Sequence, residues 1–171
     1  MKYKLTDETK EICGKVLHRI VCVTAFASVA VGDTGGWVES EKNLSQSGNA
    51  WVYGDAWVYG DANVYGNAKV SGNAKVSGNA EVYGNANVYG DAWVYGNAEV
   101  SKSSDYAVYK NTWSSMRYFT WTRSNDKWRV GCFFGTGEEL IEKAYKDSKL
   151  SGDCYKAVVE LRNKLTELES A

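Results

Sequence analysis

Proline is absent from the 171 residues, and histidine occurs once, at His18. Without proline no turn rests on a fixed φ, so the turns fall to glycine, asparagine and aspartate. The four cysteines, Cys13, Cys22, Cys132 and Cys154, form no C-x-x-C pair. With a single histidine beside them they describe free thiols in a reducing compartment rather than a zinc site. The apolar stretch from Ile20 to Val31 is too short, and too rich in serine and threonine, to span a bilayer. The opening MKYKLTDETKEIC has no apolar core of the kind a secretion signal needs. Net charge is −1, so no basic field points to duplex nucleic acid. These absences lead us to expect a cytoplasmic, soluble protein with no metal, no cofactor and no membrane segment.

What the chain does have is repetition. From Gly48 to Ser101 the phrase Gly-(Asn/Asp)-Ala-x-Val-(Tyr/Ser) recurs nine times without interruption. A fixed period of six, with one aliphatic and one small residue per unit, is the signature of a β-helix built from hexapeptides. Alternation along a strand places each valine and the alanine two residues before it on one face, the interior. The Gly-Asn and Gly-Asp pairs supply the corners, where positive φ is needed.

Three regions follow: a cap at 1–47, the repeat at 48–101 and a separate module at 102–171. In the cap, Lys15–Ala25 reads as a strand and Trp37-Val38 as the start of a degenerate rung. A cap is required because a solenoid leaves its terminal rung open. In the module, Asp105–Trp113 reads as a strand, and Met116–Arg123 with Lys127–Phe134 as a hairpin around Asn125-Asp126. Thr136 begins a helix, with Glu139 completing a capping box, that runs to about Asp147. A second helix starts at Ser151 or Asp153, its apolar stripe passing through Tyr155, Val158 and Val159. The fold class is mainly β: a β-helix with an N-terminal β cap and a C-terminal α+β module of antiparallel strands and two helices.

The repeats closely match hexapeptide-repeat proteins. The order Leu17-His18-Arg19-Ile20, Gly32-Asp33-x-Gly35-Gly36-Trp37-Val38-Glu39 and Asn43-Leu44-Ser45 before the repeats resembles such proteins carried by phages and prophages. The tail segments Tyr118-Phe119-Thr120-Trp121-Thr122 and Val130-Gly131-Cys132-Phe133-Phe134-Gly135-Thr136 are similar to a module found in them. The resemblance implies a left-handed parallel β-helix with three faces and eighteen residues to a coil. It also favours a homotrimer, and it places the protein in the cytoplasm of an infected bacterial cell.

Eighteen residues per coil sorts the outward positions into columns. One face carries Trp57, Lys75 and Trp93 beside Tyr59, Ser77 and Tyr95. A second carries Trp51, Lys69 and Asn87 beside Tyr53, Ser71 and Tyr89. The third carries Asn63, Glu81 and Glu99. Ladder packing accounts for such columns, and so does a subunit interface. So many aromatics with few charges suit oligomerisation. Trp51, Trp57 and Trp93, with Tyr53, Tyr59, Tyr89 and Tyr95, are the candidate interface.

No catalytic residue is expected. Hexapeptide acyltransferases usually need a histidine base on the β-helix, and these repeats have none. There is no phosphate-binding glycine motif and no nucleophile elbow. In the module, pairing through Ser124–Lys127 sets Trp121 opposite Val130 and Phe119 opposite Cys132. Phe119, Trp121, Trp128 and Phe134 then form an apolar face for the helices. On the other face Tyr118, Thr120 and Thr122 lie opposite Phe133, Gly131 and Arg129. Aromatics and an arginine around a glycine dip suit a small anionic, nucleotide-like ligand. The alternative is that this face packs on the end of the β-helix or on a neighbouring subunit. Two functions are therefore expected. One is a phage-encoded, non-enzymatic binding protein that sequesters a nucleotide-derived immune signal. The other is a structural or protein-interaction module, with a hexapeptide acyltransferase as a distant third.

Overall fold

The computed structural model describes residues 1–171. The chain enters through an antiparallel hairpin of β1 (Tyr3–Ile12) and β2 (Lys15–Cys22), paired from Tyr3↔Cys22 to Ile12↔Lys15. The turn at Cys13-Gly14 takes positive φ at both residues. The sequence reading has a strand from Lys15 but none over Tyr3–Ile12. That segment is polar on both sides and mostly exposed, because β1 is the edge of its sheet and buries little there. β3 (Thr34–Val38) pairs antiparallel with β2, then parallel with the first tier above it at Trp37↔Trp57 and Val38↔Val58. Leu44 bridges Val64 in the same sense. An incomplete coil thus precedes the first regular hexad at Gly48.

Each hexad makes one two-residue strand. β4 to β6 are Trp51–Val52, Trp57–Val58 and Asn63–Val64. β7 to β9 are Lys69–Val70, Lys75–Val76 and Glu81–Val82. β10 to β12 are Asn87–Val88, Trp93–Val94 and Glu99–Val100. They stack in parallel into three sheets, β3-β5-β8-β11, β4-β7-β10 and β6-β9-β12, the first extended downwards by β2 and β1. The columns read from the sequence are the observed ones: Trp57↔Lys75↔Trp93, Trp51↔Lys69↔Asn87 and Asn63↔Glu81↔Glu99. All nine valines are fully buried, and no alanine of the repeat exceeds 1% exposure. Each buried valine contributes about 1.5–2 kcal/mol. Several corner glycines are required twice over, by positive φ and by the coil above. Gly48 has φ +69, and a Cβ there would lie 2.6 Å from Gly66 O.

The backbone bonds run along the axis in one direction. Trp51 N–H donates to Ala68 O and Tyr53 N–H to Val70 O, one coil up, and the pattern continues through the stack. The first coil therefore exposes carbonyls and the last exposes N–H groups. The carbonyl end is met by donors. Lys2 Nζ reaches Ala50 O at 2.8 Å, Arg19 Nη1 reaches Gly54 O at 2.8 Å, and Asn43 Nδ2 reaches Ala62 O at 2.8 Å. The N–H end is met by acceptors. Trp93 N–H donates to Thr120 Oγ1 at 2.8 Å, Glu99 N–H to Ser124 Oγ at 2.7 Å, and Ser101 N–H to Asp105 Oδ2 at 2.9 Å.

Those acceptors come from the C-terminal module. Its strands β13 (Tyr106–Lys110), β14 (Tyr118–Thr122), β15 (Lys127–Val130) and β16 (Phe133–Gly135) form one antiparallel sheet in chain order. α1 (Gly137–Asp147) and α2 (Lys149–Glu169) pack on one face of it. The Thr136–Glu139 capping box is present, Thr136 Oγ1 accepting from Glu139 N–H at 3.2 Å. α2 starts earlier than the sequence reading, because Ser148 caps it by accepting from Ser151 N–H at 3.0 Å. The expected long strand Lys127–Phe134 is two strands, broken by a turn at Gly131-Cys132 with Val130 paired to Phe133. The hairpin register also differs: Trp121 faces Trp128 and Thr120 faces Arg129.

Two outcomes follow from the caps. Thr120→Val should leave Trp93 N–H buried and unpaired, lowering stability by about 1–3 kcal/mol. A reduced urea midpoint with unchanged m, restored by Thr120→Ser, would show it. Burial lowers the Lys2 ammonium from its ordinary 10.5 to about 8. Between those values the unfolded chain holds a proton that the folded chain has released. Lys2 therefore makes stability rise as pH climbs from 8 towards 10, and the gain is lost as pH falls back through 8. Urea titrations at pH 8 and 10 should show this rise in the wild type and a flatter response in Lys2→Met.

Candidate functional site

The face of the sheet expected to bind a ligand is the face that docks on the solenoid. Thr120 is buried at 1% exposure, its hydroxyl accepting from Trp93 N–H. Thr122 is buried at 3%, its Oγ1 donating to Asn125 Oδ1 at 2.6 Å. Neither is open to a ligand. Arg129 lays its guanidinium over Trp93 at 4.0 Å and Tyr95 at 4.1 Å, binding the module to the solenoid. Phe133 belongs to the opposite face, packed with the helix-side cluster. Phe134, assigned to the helices by sequence, instead packs edge-on against Tyr95 at 5.0 Å. The turn at Gly131-Cys132 explains the exchange. It reverses the chain one residue before the expected strand would pass through, and one residue flips a side chain to the other face. Tyr118 alone of the five keeps an open ring, 42% exposed.

The aromatic columns are also largely occupied within the chain. Trp51 is 1% exposed, enclosed edge-on by Phe26 at 5.5 Å and Tyr3 at 6.1 Å. It cannot contribute to a subunit interface, because the N-terminal cap covers it. Trp57 lies between Lys75 at 4.6 Å and Lys10 at 5.4 Å, and Trp93 between Lys75 at 5.0 Å and Arg129. Tyr95 carries Arg129 and Phe134. Burial pushes the Tyr59 hydroxyl above its usual range. Tyr53 packs half-buried against the core. Of the seven, Tyr89 is the open one, 59% exposed.

What remains open lies at the seam between solenoid and module. A groove of about 410 Å³ runs under the sheet edge between Tyr89, Tyr106 and Tyr118. It meets a second space of about 310 Å³, lined by Lys75, Trp93 and Arg117. Tyr118 and Asp91 border both. Tyr106 is fixed by its hydroxyl, which donates to Asn87 O at 3.0 Å and accepts from Tyr89 N–H at 3.3 Å. Burial raises its pKa, the bond from the Tyr89 N–H opposing the rise. Asp91 is steadied by Asn73 Nδ2 at 3.3 Å. Neither Lys75 nor Arg117 is ion-paired. Lys75, packed between Trp57 and Trp93, and the exposed Arg117 thus face one space bordered by Tyr118 and Asp91.

The seam is composite. Lys75, Asp91 and Trp93 come from the coils, Arg117 and Tyr118 from the module. Sequence reasoning places Lys75 in a tryptophan ladder, assigns no role to Arg117, and joins neither to Tyr118. The alternation of β14 puts Tyr118 with Thr120, so its approach to the solenoid was within reach; the docking that brings Arg117 beside Lys75 was not. His18 lies in β2, its Nδ1 3.1 Å from Thr6 O, at the far end of the solenoid from this seam. No cluster of three His, Cys, Asp or Glu residues is placed to hold a metal ion. No helix is long and apolar enough to cross a membrane.

Arg129→Ala should weaken the hold of the module on the solenoid by removing both cation–π contacts, at about 1–2 kcal/mol. Arg129→Lys should recover only part, since an ammonium lacks the flat face that a guanidinium presents to a ring. Urea midpoints of the three proteins measure it.

No family model matches the chain. Over 60 residues it is 32% identical to a protein of Escherichia coli (strain K12) named as the uncharacterized acetyltransferase YdcK; the match covers 30% of this chain. It spans 18% of that relative's own length. The six-residue repeat, the parallel solenoid and this similarity all fit a hexapeptide-repeat β-helix.

Proposed function

We propose that the protein is a non-enzymatic binding protein that seats a small planar anion, of the nucleotide class, in the seam between coils and module. The observation that supports this is the pair of unpaired cations, Lys75 and Arg117, facing one space beside the exposed ring of Tyr118. A base stacks on Tyr118 and Tyr89, worth about 1–3 kcal/mol per ring. The phosphate lies between the ammonium and the guanidinium. Asp91 accepts a sugar hydroxyl. Holding without turnover is sequestration, the role expected of a phage-like architecture that lacks catalytic groups. The reading requires only that Lys75 and Arg117 be held together, which docking of the module on β11 achieves.

A second reading is an acyltransferase, favoured by the name of the E. coli relative. Against it, the lone imidazole sits in the cap, bonded to the Thr6 carbonyl, and no other histidine exists to serve as base. The caps clasp the tryptophan column, so a homotrimer pairs through the faces carrying Tyr89, 59% exposed, and the Tyr65–Tyr83 stack, centroids 5.1 Å apart.

Titration calorimetry with AMP should give a one-site isotherm. Tyr118→Ala and Lys75→Ala should each weaken it about tenfold, by loss of one stack or one charge contact. No heat with AMP, or sustained turnover of acetyl-CoA, would overturn the binding reading.

A further inference from the structure

Arg117 borders more than the seam. It also lines a separate cavity of about 250 Å³ on the other side of the sheet, beneath α1. The turn that splits β15 from β16 divides the two spaces: Gly131 lines one and Cys132 the other. Gly131 has φ +53, and a Cβ there would lie 2.9 Å from Arg117 Nη1. The guanidinium therefore lies across this turn, at the junction of the two spaces.

The second cavity has the chemistry of a slot for a flat ring. Val130, Phe133 and Leu140 give it apolar walls. Ser151 is 5% exposed and lines it, and its hydroxyl bonds to no other group of the protein. Asn111, Ser114, Lys143 and Asp147 line the rest of it, and apolar walls with polar groups at the rim suit a heteroaromatic ring with a polar edge. Arg117 stands between this slot and Tyr118, at the place of a bridging anion.

We infer that the ligand has two planar groups joined by a phosphate, the dinucleotide class, with Arg117 holding the bridge. One base stacks on Tyr118 in the seam. The other enters the cavity beneath α1, its edge bonded to Ser151. This rests on the seam reading and extends it across the sheet end.

The test uses the wild-type protein with AMP and the linear dinucleotide pApA, by calorimetry and by cysteine footprinting. Linking the second base to the first should make pApA bind at least about tenfold tighter than AMP. Cys132 is exposed at the mouth of the cavity, and Cys13 is exposed on the distant hairpin. Saturating pApA should slow N-ethylmaleimide labelling of Cys132 by about fivefold while saturating AMP does not. Cys13, followed by peptide mass spectrometry, should react at the same rate throughout. Equal affinities for the two ligands, or an unprotected Cys132 in the pApA complex, would overturn this inference. AMP binding under either result would leave the seam reading standing. Failure of both ligands to bind would overturn both readings together.

Discussion

The hydrogen bonds of a parallel solenoid all point one way, and the rest of this structure answers to that. Each coil donates its N–H groups to the carbonyls of the next. The stack therefore has a carbonyl end and an N–H end, and neither can be left unpaired in a buried setting. The two caps differ because of it. The N-terminal cap brings cationic and amide donors, Lys2, Arg19 and Asn43. The C-terminal module brings oxygen acceptors, Thr120, Ser124 and Asp105. Exchanging the chemistry of the two ends would leave both unsatisfied.

Capping also decides where a ligand can go. The N-terminal hairpin rises along the tryptophan column, with Lys10 over Trp37 and Trp57. The module descends onto the same column from above, with Arg129 over Trp93 and Tyr95. The aromatics that look like an oligomer surface in sequence are thus spent on holding the caps. A sheet laid across a prism meets it along a line rather than a plane. The remaining gap at the corner near Asp91 is the seam where Tyr118, Lys75 and Arg117 converge.

Much of this was legible because the repeat imposes local rules. The valine and alanine interior, the column stacking, the glycine corners and the Thr136 capping box each depend on residues a few positions apart or on a fixed period. Three features were not. β1 carries no alternation, since as an edge strand it is held by backbone pairing. The two-strand break at Gly131-Cys132 hides inside an apolar run that reads equally as one strand, and it exchanges Phe133 with Phe134. Trp51 belongs by period to a solvent-facing column, yet Phe26 and Tyr3 fold over it from the cap.

By itself the sequence determined the solenoid, its register and its inert interior, because a six-residue period closes on itself and needs no distant partner. It also determined that no histidine stands on the coils. The tertiary structure alone decided which aromatic faces are covered and where cations meet open rings. Those depend on how a non-repeating module docks on a repeating one. That docking is set by orphan N–H groups finding Thr120 and Ser124, and by Arg129 finding the rings of Trp93 and Tyr95, set nearly at right angles.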